Sequence, residues 1–304
     1  TGPFKDAIGR PLYEGSWDFI DPTVFVDDDG QAYLYWGNPN VYYAKLNADM
    51  VSLDGEVSKV EQTIESFGSP GPDKREKGKK YKDIYTEGPW LHKRGGTYYL
   101  SYAAGGVPEH IAYSMSDTPT GPWKYMGEIM PLQDTGSFTN HCGVTDYKGN
   151  SYFFYHTGKL PGGGGFGRSV AVEQFSYNPD GTFPIINATT EGVSPVGTLT
   201  PYQRVEAETI AFSEGVKSEW NAKTGVYVSG IHDGDYIKVR EVDFEDLSPK
   251  CLCVSVASAL RGGWIEIRTD SIGGTLIAEM RVPHTGGWEC WTSIEADVTV
   301  PVTG

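Results

Sequence analysis

Residues 21–25 (DPTVF), a turn at 27–30 (DDDG) and tyrosines at 33 and 35 form a phrase that decides the fold. Two further copies each join an ionisable residue, a short apolar stretch, a turn and a run of aromatic residues. They comprise 87–91 (EGPWL), 95–96 (GG) and 98–102 (YYLSY), then 141–144 (HCGV), 148–150 (KGN) and 152–155 (YFFY). A repeated phrase predicts a repeated structural unit. Asp21, Glu87 and His141 should therefore occupy equivalent positions and converge.

The pattern between these phrases predicts an all-β chain. Helical periodicity is nearly absent, and alternating apolar and polar runs predict strands. They lie at 31–36, 97–103, 151–156, 170–175 and 265–269. Units of about 50–65 residues built of short antiparallel strands are typical of β-propeller blades, with a β-sandwich as the alternative. The repeated ionisable residues favour the propeller, because its innermost strands all face one channel.

The pattern of strands and turns in the sequence changes after Phe183, and this change predicts two domains. We expect a β-propeller domain over residues 1–192, a linker over 193–202 and a β-sandwich domain over 203–304. The linker region is poor in charge and rich in Thr, Gly and Pro. Residues 1–6 (TGPFKD) nearly repeat 120–125 (TGPWKY) without the strand that precedes the second copy. We therefore expect the chain to begin within a blade and to end before a closing strand.

Composition narrows the possible partners. The chain of 304 residues carries 25 basic and 40 acidic residues, a net charge of −15. Nucleic acid and anionic membranes need a basic face, so both are poor partners. No stretch reaches the ~20 apolar residues of a membrane span. Eight Trp and nineteen Tyr suit the flat faces of sugars. Cys251 or Cys253 could bridge Cys290, but free thiols fit the sequence equally well.

Two carboxylates are the first candidates for catalysis. Facing one cavity, they would push their pKa values apart, and one would stay protonated as a general acid. Glu87 is the expected acid, because Tyr85 and Trp90 supply apolar surroundings that would raise its pKa. Asp21 should stay ionised, in an extended conformation before Pro22. Either carboxylate alone would more often cap the end of a strand. Its occurrence in the repeated phrase favours a catalytic role instead.

Two further side chains are candidates for support. His141 belongs to no zinc motif, and an axial role and a buried core histidine are about equally expected. Arg168 follows a glycine-rich loop and would either pair with Asp21, which we favour, or bridge a surface.

The first domain resembles the family 43 glycoside hydrolases, which are five-bladed β-propellers. The resemblance rests on 20–30 (IDPTVFVDDDG), 86–90 (TEGPW), 116–123 (SDTPTGPW) and 140–143 (NHCG). It implies an inverting mechanism with three carboxylates, with Glu87 as general acid and Asp21 as the carboxylate that tunes and orients it. His141 matches an axial histidine associated with calcium or its water shell, and Arg168 an arginine beside the sugar.

The family's third carboxylate, the general base, has no counterpart among these motifs. In the family it heads an Asp-Pro phrase of the first blade, whereas Asp21 has the context of the tuning residue. An inverting enzyme holds its acid and base ~6.5–9.5 Å apart to admit a water molecule. Asp21-Pro22 is the sole Asp-Pro in the sequence. We therefore expect the base to lie upstream of Thr1 and this chain to lack it.

The second domain resembles a family 6 carbohydrate-binding module. The motifs are 205–208 (VEAE), 234–237 (GDYI), 242–244 (VDF), 262–268 (GGWIEIR) and 285–291 (TGGWECW). The resemblance implies structural calcium ligands at Glu206 and Glu208, and a sugar-clamping pair at Tyr227 and Trp288. Trp264 and Trp291 are expected in the core.

The resemblance implies a secreted or cell-envelope enzyme, bacterial in type, that acts as a monomer on plant cell-wall polysaccharide. It would remove α-L-arabinofuranosyl or β-D-xylosyl units from arabinoxylan or xylan, with Trp90 also at the sugar. Calcium is the expected structural ion, and no organic cofactor is expected. One rival is a non-catalytic carbohydrate-binding protein with a degenerate propeller, and a weaker one is a structural or adhesive repeat protein.

Overall fold

The computed structural model describes residues 5–304 and divides into two compact units, Thr1–Ser194 and Pro195–Gly304. Both units are built almost wholly from antiparallel strands, which confirms the all-β prediction. The expected repeat at residues 1–6 falls largely on residues 1–4, outside the described residues. No helix in the described part of the chain is long and apolar enough to cross a membrane.

The first unit contains three antiparallel sheets in chain order. The first sheet comprises β1 (Thr23–Val26), β2 (Ala32–Trp36), β3 (Tyr42–Leu46) and β4 (Leu53–Lys59). The second comprises β5 (Tyr85–Arg94), β6 (Thr97–Ala104), β7 (His110–Ser116) and β8 (Lys124–Met130). The third comprises β9 (Gly143–Tyr147), β10 (Asn150–Thr157) and β11 (Ser169–Phe175). A short helix α1 (Ile64–Phe67) and a 3-10 turn (Pro72–Lys74) connect β4 to β5.

The three repeated phrases are the first hairpins of these three sheets. Thr23 lies opposite Tyr35 in β1–β2, Leu91 opposite Leu100 in β5–β6, and Val144 opposite Phe153 in β9–β10. The first turn closes as predicted, with the Gly30 N–H donating to the Asp27 carbonyl at 2.9 Å. Antiparallel meanders of this kind, two with four strands and one with three, are typical of the blades of a propeller. A total of five blades stays a prediction.

Aromatic side chains fill the spaces on either side of the second sheet. One cluster joins it to the first sheet through fully buried residues such as Tyr35, Tyr85 and Tyr102. Another joins it to the third sheet through Tyr99 and Phe153. Burying each such ring contributes about 1.5–3 kcal/mol, so the packing fixes the sheets firmly against one another. The hairpins that carry the candidate site are thereby held in place.

The second unit contains four two-stranded ladders, β12–β15, β13–β14, β16–β19 and β17–β18. Their strands are β12 (Phe212–Glu214), β13 (Lys217–Asn221), β14 (Gly225–Ser229), β15 (Tyr236–Lys238), β16 (Cys251–Ser258), β17 (Trp264–Arg268), β18 (Leu276–Arg281) and β19 (Gly287–Asp297). The core placement expected for Trp264 is wrong, because this ring lies on the outer face of β17 and is 63% exposed. Trp291 is partly buried, and its indole N–H donates to Thr224 Oγ1. All four cysteines are free thiols.

Candidate active site

Asp21, Glu87 and His141 converge at one point, as the repeated phrase predicts. Asp21 lies two residues before β1, Glu87 lies in a bulged part of β5, and His141 lies two residues before β9. His141 Nε2 lies 3.6 Å from Glu87 Oε1 and 4.0 Å from Asp21 Oδ2. One ligand-type atom from each of the three residues lies within 4.8 Å of the others.

The backbone at Asp21 differs from the expectation. Its φ is 57°, in the left-handed region, so the predicted extended conformation is wrong. Aspartate tolerates this region better than most residues. The neighbouring Ile20 carbonyl accepts the Gly37 N–H at 2.9 Å, and the Asp21 carboxylate accepts the Gly88 N–H. These bonds to the adjoining loop and to β5 fix the turn and direct the carboxylate towards Glu87.

Gly88 makes room for His141. Its φ is 61°, and a Cβ there would lie 2.9 Å from His141 Cγ. Glycine removes both the steric cost of positive φ and the clash with the ring. The glycine after Glu87, expected to leave space beside the carboxylate, in fact leaves space for the imidazole.

Glu87 is surrounded by groups that favour its ionised form. Its contact with His141 has the largest effect on the pKa, and contacts with Glu109 and Asn38 add to it. Asn38 Nδ2 donates to Glu87 Oε2 at 2.9 Å. Together they outweigh burial and lower the pKa of Glu87 to about 2. The expectation that apolar neighbours raise its pKa is therefore wrong for the free site.

Asp21 shows the opposite behaviour. Burial raises the pKa of Asp21 above its ordinary value, and the neighbouring Glu87 carboxylate raises it further, although His141 opposes both. The pKa of Asp21 thus shifts in the direction opposite to that of Glu87, and its ionised state stays a prediction. The physical reason is that Glu87, rather than Asp21, has the polar contacts that favour the negative charge.

His141 behaves as a cation held among carboxylates. Burial disfavours its charge, but Glu87, Asp21 and Glu109 outweigh burial and raise the pKa of His141. Calcium prefers six to eight oxygen ligands. One imidazole nitrogen and two carboxylates are fewer ligands than that, and water would have to supply the rest, so the association of His141 with calcium through its water shell stays a prediction. We therefore route no chemistry through a metal ion here.

Three residues that the sequence did not single out complete the site. Besides Asn38, they are Glu109, which lies just before β7, and His156 in β10. The His156 ring stacks on His141 with centroids 5.0 Å apart, and its Nδ1 accepts the His141 N–H at 3.3 Å. Burial lowers the pKa of His156 to about 4, so this ring is neutral beside the His141 cation. The signal for Glu109 was its position directly before a run of buried residues.

Trp90 packs between two sheets, and Arg168 lies on the surface. The Trp90 indole N–H donates to the Val144 carbonyl at 3.2 Å, and the ring packs against the core of the second and third sheets. It therefore joins two sheets while staying half-buried, and its place at the sugar stays a prediction. Arg168 is exposed and forms no ion pair with Asp21 in the structure described; its charge acts on His156.

The module's candidate residues are at least partly accessible, and the clamp formed by Tyr227 and Trp288 stays a prediction. Trp288 in β19 is 62% exposed. Tyr227 packs edge-on against Trp291, with ring centroids 5.5 Å apart. The two Glu206 carboxylate oxygens accept from Arg204 at 2.8 and 2.9 Å, and neither Glu206 nor Glu208 joins a metal-type cluster among residues 5–304. Calcium binding by these glutamates stays a prediction.

Comparison with known proteins gives the family. The profile "Glycosyl hydrolases family 43" matches residues 1–183, and "Carbohydrate binding module (family 6)" matches residues 206–304. An arabinoxylan arabinofuranohydrolase of Bacillus subtilis (strain 168) is 34% identical over 98% of this chain and 62% of its own length. One from Paenibacillus polymyxa is 32% identical over 98% of this chain and 50% of its own length. The chain thus spans between half and two thirds of these relatives.

A solved structure agrees with these matches. The crystal structure of the Bacillus subtilis family 43 arabinoxylan arabinofuranohydrolase in complex with cellotetraose superposes with a TM-score of 0.78 at 32% identity. The superposition covers 100% of this chain and 66% of that one. From the family profile over most of the first unit, the three sheets and the convergent site, we conclude that the chain belongs to glycosyl hydrolase family 43 and carries a family 6 carbohydrate-binding module.

Proposed function

We propose that this chain is part of a glycoside hydrolase that removes α-L-arabinofuranosyl units from arabinoxylan-type plant polysaccharide. The observation that carries the proposal is the convergence of Glu87, Asp21 and His141 in a family 43 domain. Support for arabinose comes from the two arabinoxylan arabinofuranohydrolases, whose likeness extends over nearly the whole chain. Removal of β-D-xylosyl units is the second candidate, since a beta-xylosidase of Xylanibacter ruminicola also matches, at 28% identity.

In this proposal Glu87 is the general acid. It donates a proton to the glycosidic oxygen as the bond from that oxygen to the anomeric carbon breaks. Before substrate arrives, the polar contacts of Glu87 hold its pKa low, and its carboxylate is ionised. A neutral sugar that displaces water would disfavour this charge, and Glu87 then takes up a proton from solvent before the glycosidic bond breaks. Asp21 tunes and orients Glu87, and His141 supports both.

The separation of the carboxylates argues that Asp21 is not the general base. It lies within 4.8 Å of Glu87, closer than the ~6.5–9.5 Å of an inverting pair. We therefore propose an inverting reaction whose base is not among the carboxylates that contact Glu87. A retaining pair has a separation of ~5–5.5 Å, so the configuration of the product decides between the two mechanisms.

Azide tests this proposal without needing the base. As an anion it attacks the anomeric carbon with no proton to lose, while nitrophenolate departs. The purified chain should convert 4-nitrophenyl α-L-arabinofuranoside to the inverted arabinosyl azide. This conversion should be several times faster than hydrolysis of the same substrate, and faster than turnover of the 4-nitrophenyl β-D-xyloside. A retained product contradicts inversion, and a preference for the xyloside moves the specificity to the second candidate.

A protein that only binds carbohydrate would release no nitrophenolate under either condition. It would still bind arabinoxylan, and this separates the rival reading from the enzyme. We propose that the module binds the same polysaccharide and that the protein acts outside the cell, where that polymer is found. Retardation in arabinoxylan-containing gels should depend on Trp288, and Trp288→Ala should abolish it, with the equally exposed Trp220→Ala as control.

A further inference from the structure

Glu109 is a buried glutamate beside the proposed acid. It lies immediately before β7, with only 4% of the residue exposed. One carboxyl oxygen, Oε2, accepts the Asn140 backbone N–H at 2.7 Å. The other, Oε1, has no donor among the described residues. Its neighbour is the Glu87 carboxyl group, with which Glu109 is in hydrogen-bonding contact.

Two carboxyl groups in hydrogen-bonding contact must share a proton. If both were ionised, like charges would face each other in a buried site where water cannot compensate them. Glu87 already receives a hydrogen bond from Asn38 and lies beside His141, so it is the better bearer of the charge. Glu109 forms no ion pair with a basic side chain among residues 5–304, and His141 pairs with Glu87 instead. Burial and the Glu87 carboxylate raise the pKa of Glu109 to about 8.

We propose that Glu109 is a positioning residue for Glu87: it stays a neutral carboxylic acid, donates its O–H to the Glu87 carboxylate and anchors its second oxygen on the Asn140 N–H. It thereby ties the general acid in β5 to the segment that carries His141. This inference deepens the proposed function and rests on it for the role of Glu87.

The surrounding charges agree with this arrangement. Glu87 faces Glu109 from β5, and His141 faces it from the segment before β9. Asp21 faces Glu87 from the segment before β1, and the Glu87 carboxylate raises the pKa of Asp21. His110 follows Glu109 in sequence, but its Nε2 bonds to Asp83 Oδ1 at 2.7 Å. The histidine next in sequence is thus committed elsewhere and does not neutralise Glu109.

Two variants distinguish the effect of the hydrogen-bond donor at position 109 from the effect of side-chain volume. Glu109→Gln keeps an oxygen for Asn140 and an N–H for Glu87, whereas Glu109→Leu removes both. Glu173→Gln is the matched control, because Glu173 is also buried but contacts Tyr155 and Thr189. In azide-supported turnover, Glu109→Gln should stay within about threefold of wild type. Glu109→Leu should lower kcat at least tenfold with little change in KM, and the alkaline limb of its pH profile should move to higher pH.

Nuclear magnetic resonance of the full chain with 13C-labelled glutamate carboxyls tests the inference without turnover. The Glu109 resonance, assigned by its loss in Glu109→Gln, should be that of a neutral acid at pH 6. The titration midpoint of the Glu87 carboxyl should move to higher pH in Glu109→Leu and remain at its wild-type pH in Glu173→Gln. An ionised Glu109 at pH 6, or an unmoved Glu87 midpoint, would overturn the inference. If these shifts occur without any glycoside turnover, the proposed function fails and the positioning role stands.

Discussion

At the scale of single residues, the negative charge and the bound proton of the site lie on different carboxyl groups. Three carboxyl groups and one imidazole share a buried space, and the polar contacts concentrate the negative charge on Glu87. The consequence is that the proposed acid is ionised until substrate arrives, while the neighbouring Glu109 holds a proton. This arrangement makes the site's stability and its activity depend on pH in ways that single substitutions can separate.

The first such dependence concerns stability. The pKa of Glu109 in the folded chain, about 8, exceeds its ordinary value of 4.5. Its stabilising contribution is therefore full below about pH 4.5 and is lost as the pH rises to 8, by at most about 1.4 kcal/mol per pH unit. Glu109→Gln should flatten the decline in the free energy of unfolding between pH 5 and 8, measured by urea titration. An unchanged slope would contradict the raised pKa.

Gly88 allows a second test with an internal control. Gly88 and Gly95 have similar φ values, 61° and 58°, but a Cβ at Gly95 meets no atom within 4 Å. Gly95→Ala should cost about 1 kcal/mol of unfolding free energy from backbone strain alone. Gly88→Ala should cost at least about 1 kcal/mol more and displace His141, because its Cβ meets the ring. Equal costs in urea denaturation would contradict the close approach.

At the scale of elements, the hairpins could be predicted from sequence and the exposure of their faces could not. The first hairpin has β-branched or aromatic residues on both strands and an Asp-Gly turn, both local signals. Trp264 lies on an equally recognisable strand, but alternation does not say which face another layer covers. The same limit applies to Glu109 and Asn38, whose partner Glu87 lies on a different strand. Contacts between segments that are distant in sequence produce no periodic pattern from which they could be predicted.

The predicted calcium site gives a test at the level of one segment. Glu206 is held by Arg204, and Glu266 is held in a similar way by Arg268. If Glu206 and Glu208 bind structural calcium, saturating calcium at about 100-fold its dissociation constant should add about 2.7 kcal/mol to the stability of the second unit. Glu206→Gln should remove that gain, whereas Glu266→Gln should keep it. A thermal melt unaffected by calcium or chelator would refute the site.

At the scale of the whole molecule, the chain combines a family 43 domain with a family 6 module. The three sheets of the first unit bring their ionisable residues to one point, and the second unit presents exposed aromatic rings on its own strands. The family and the convergent residues were predictable from the repeated phrase. The opposite pKa shifts of Asp21 and Glu87 could not be predicted. They depend on contacts of Glu87 with Asn38 and Glu109 and on the left-handed backbone conformation of Asp21.

The central claim is that Glu87 is the general acid, and the leaving-group dependence of azide-supported turnover tests it most directly. A poor leaving group such as phenol needs a proton, whereas dinitrophenol does not. Glu87→Gln should slow the phenyl arabinofuranoside by about 10²–10⁴-fold and the dinitrophenyl arabinofuranoside only a few-fold, with the exposed Glu61→Gln unchanged. Equal slowing of both substrates, or none, would contradict the assignment of Glu87.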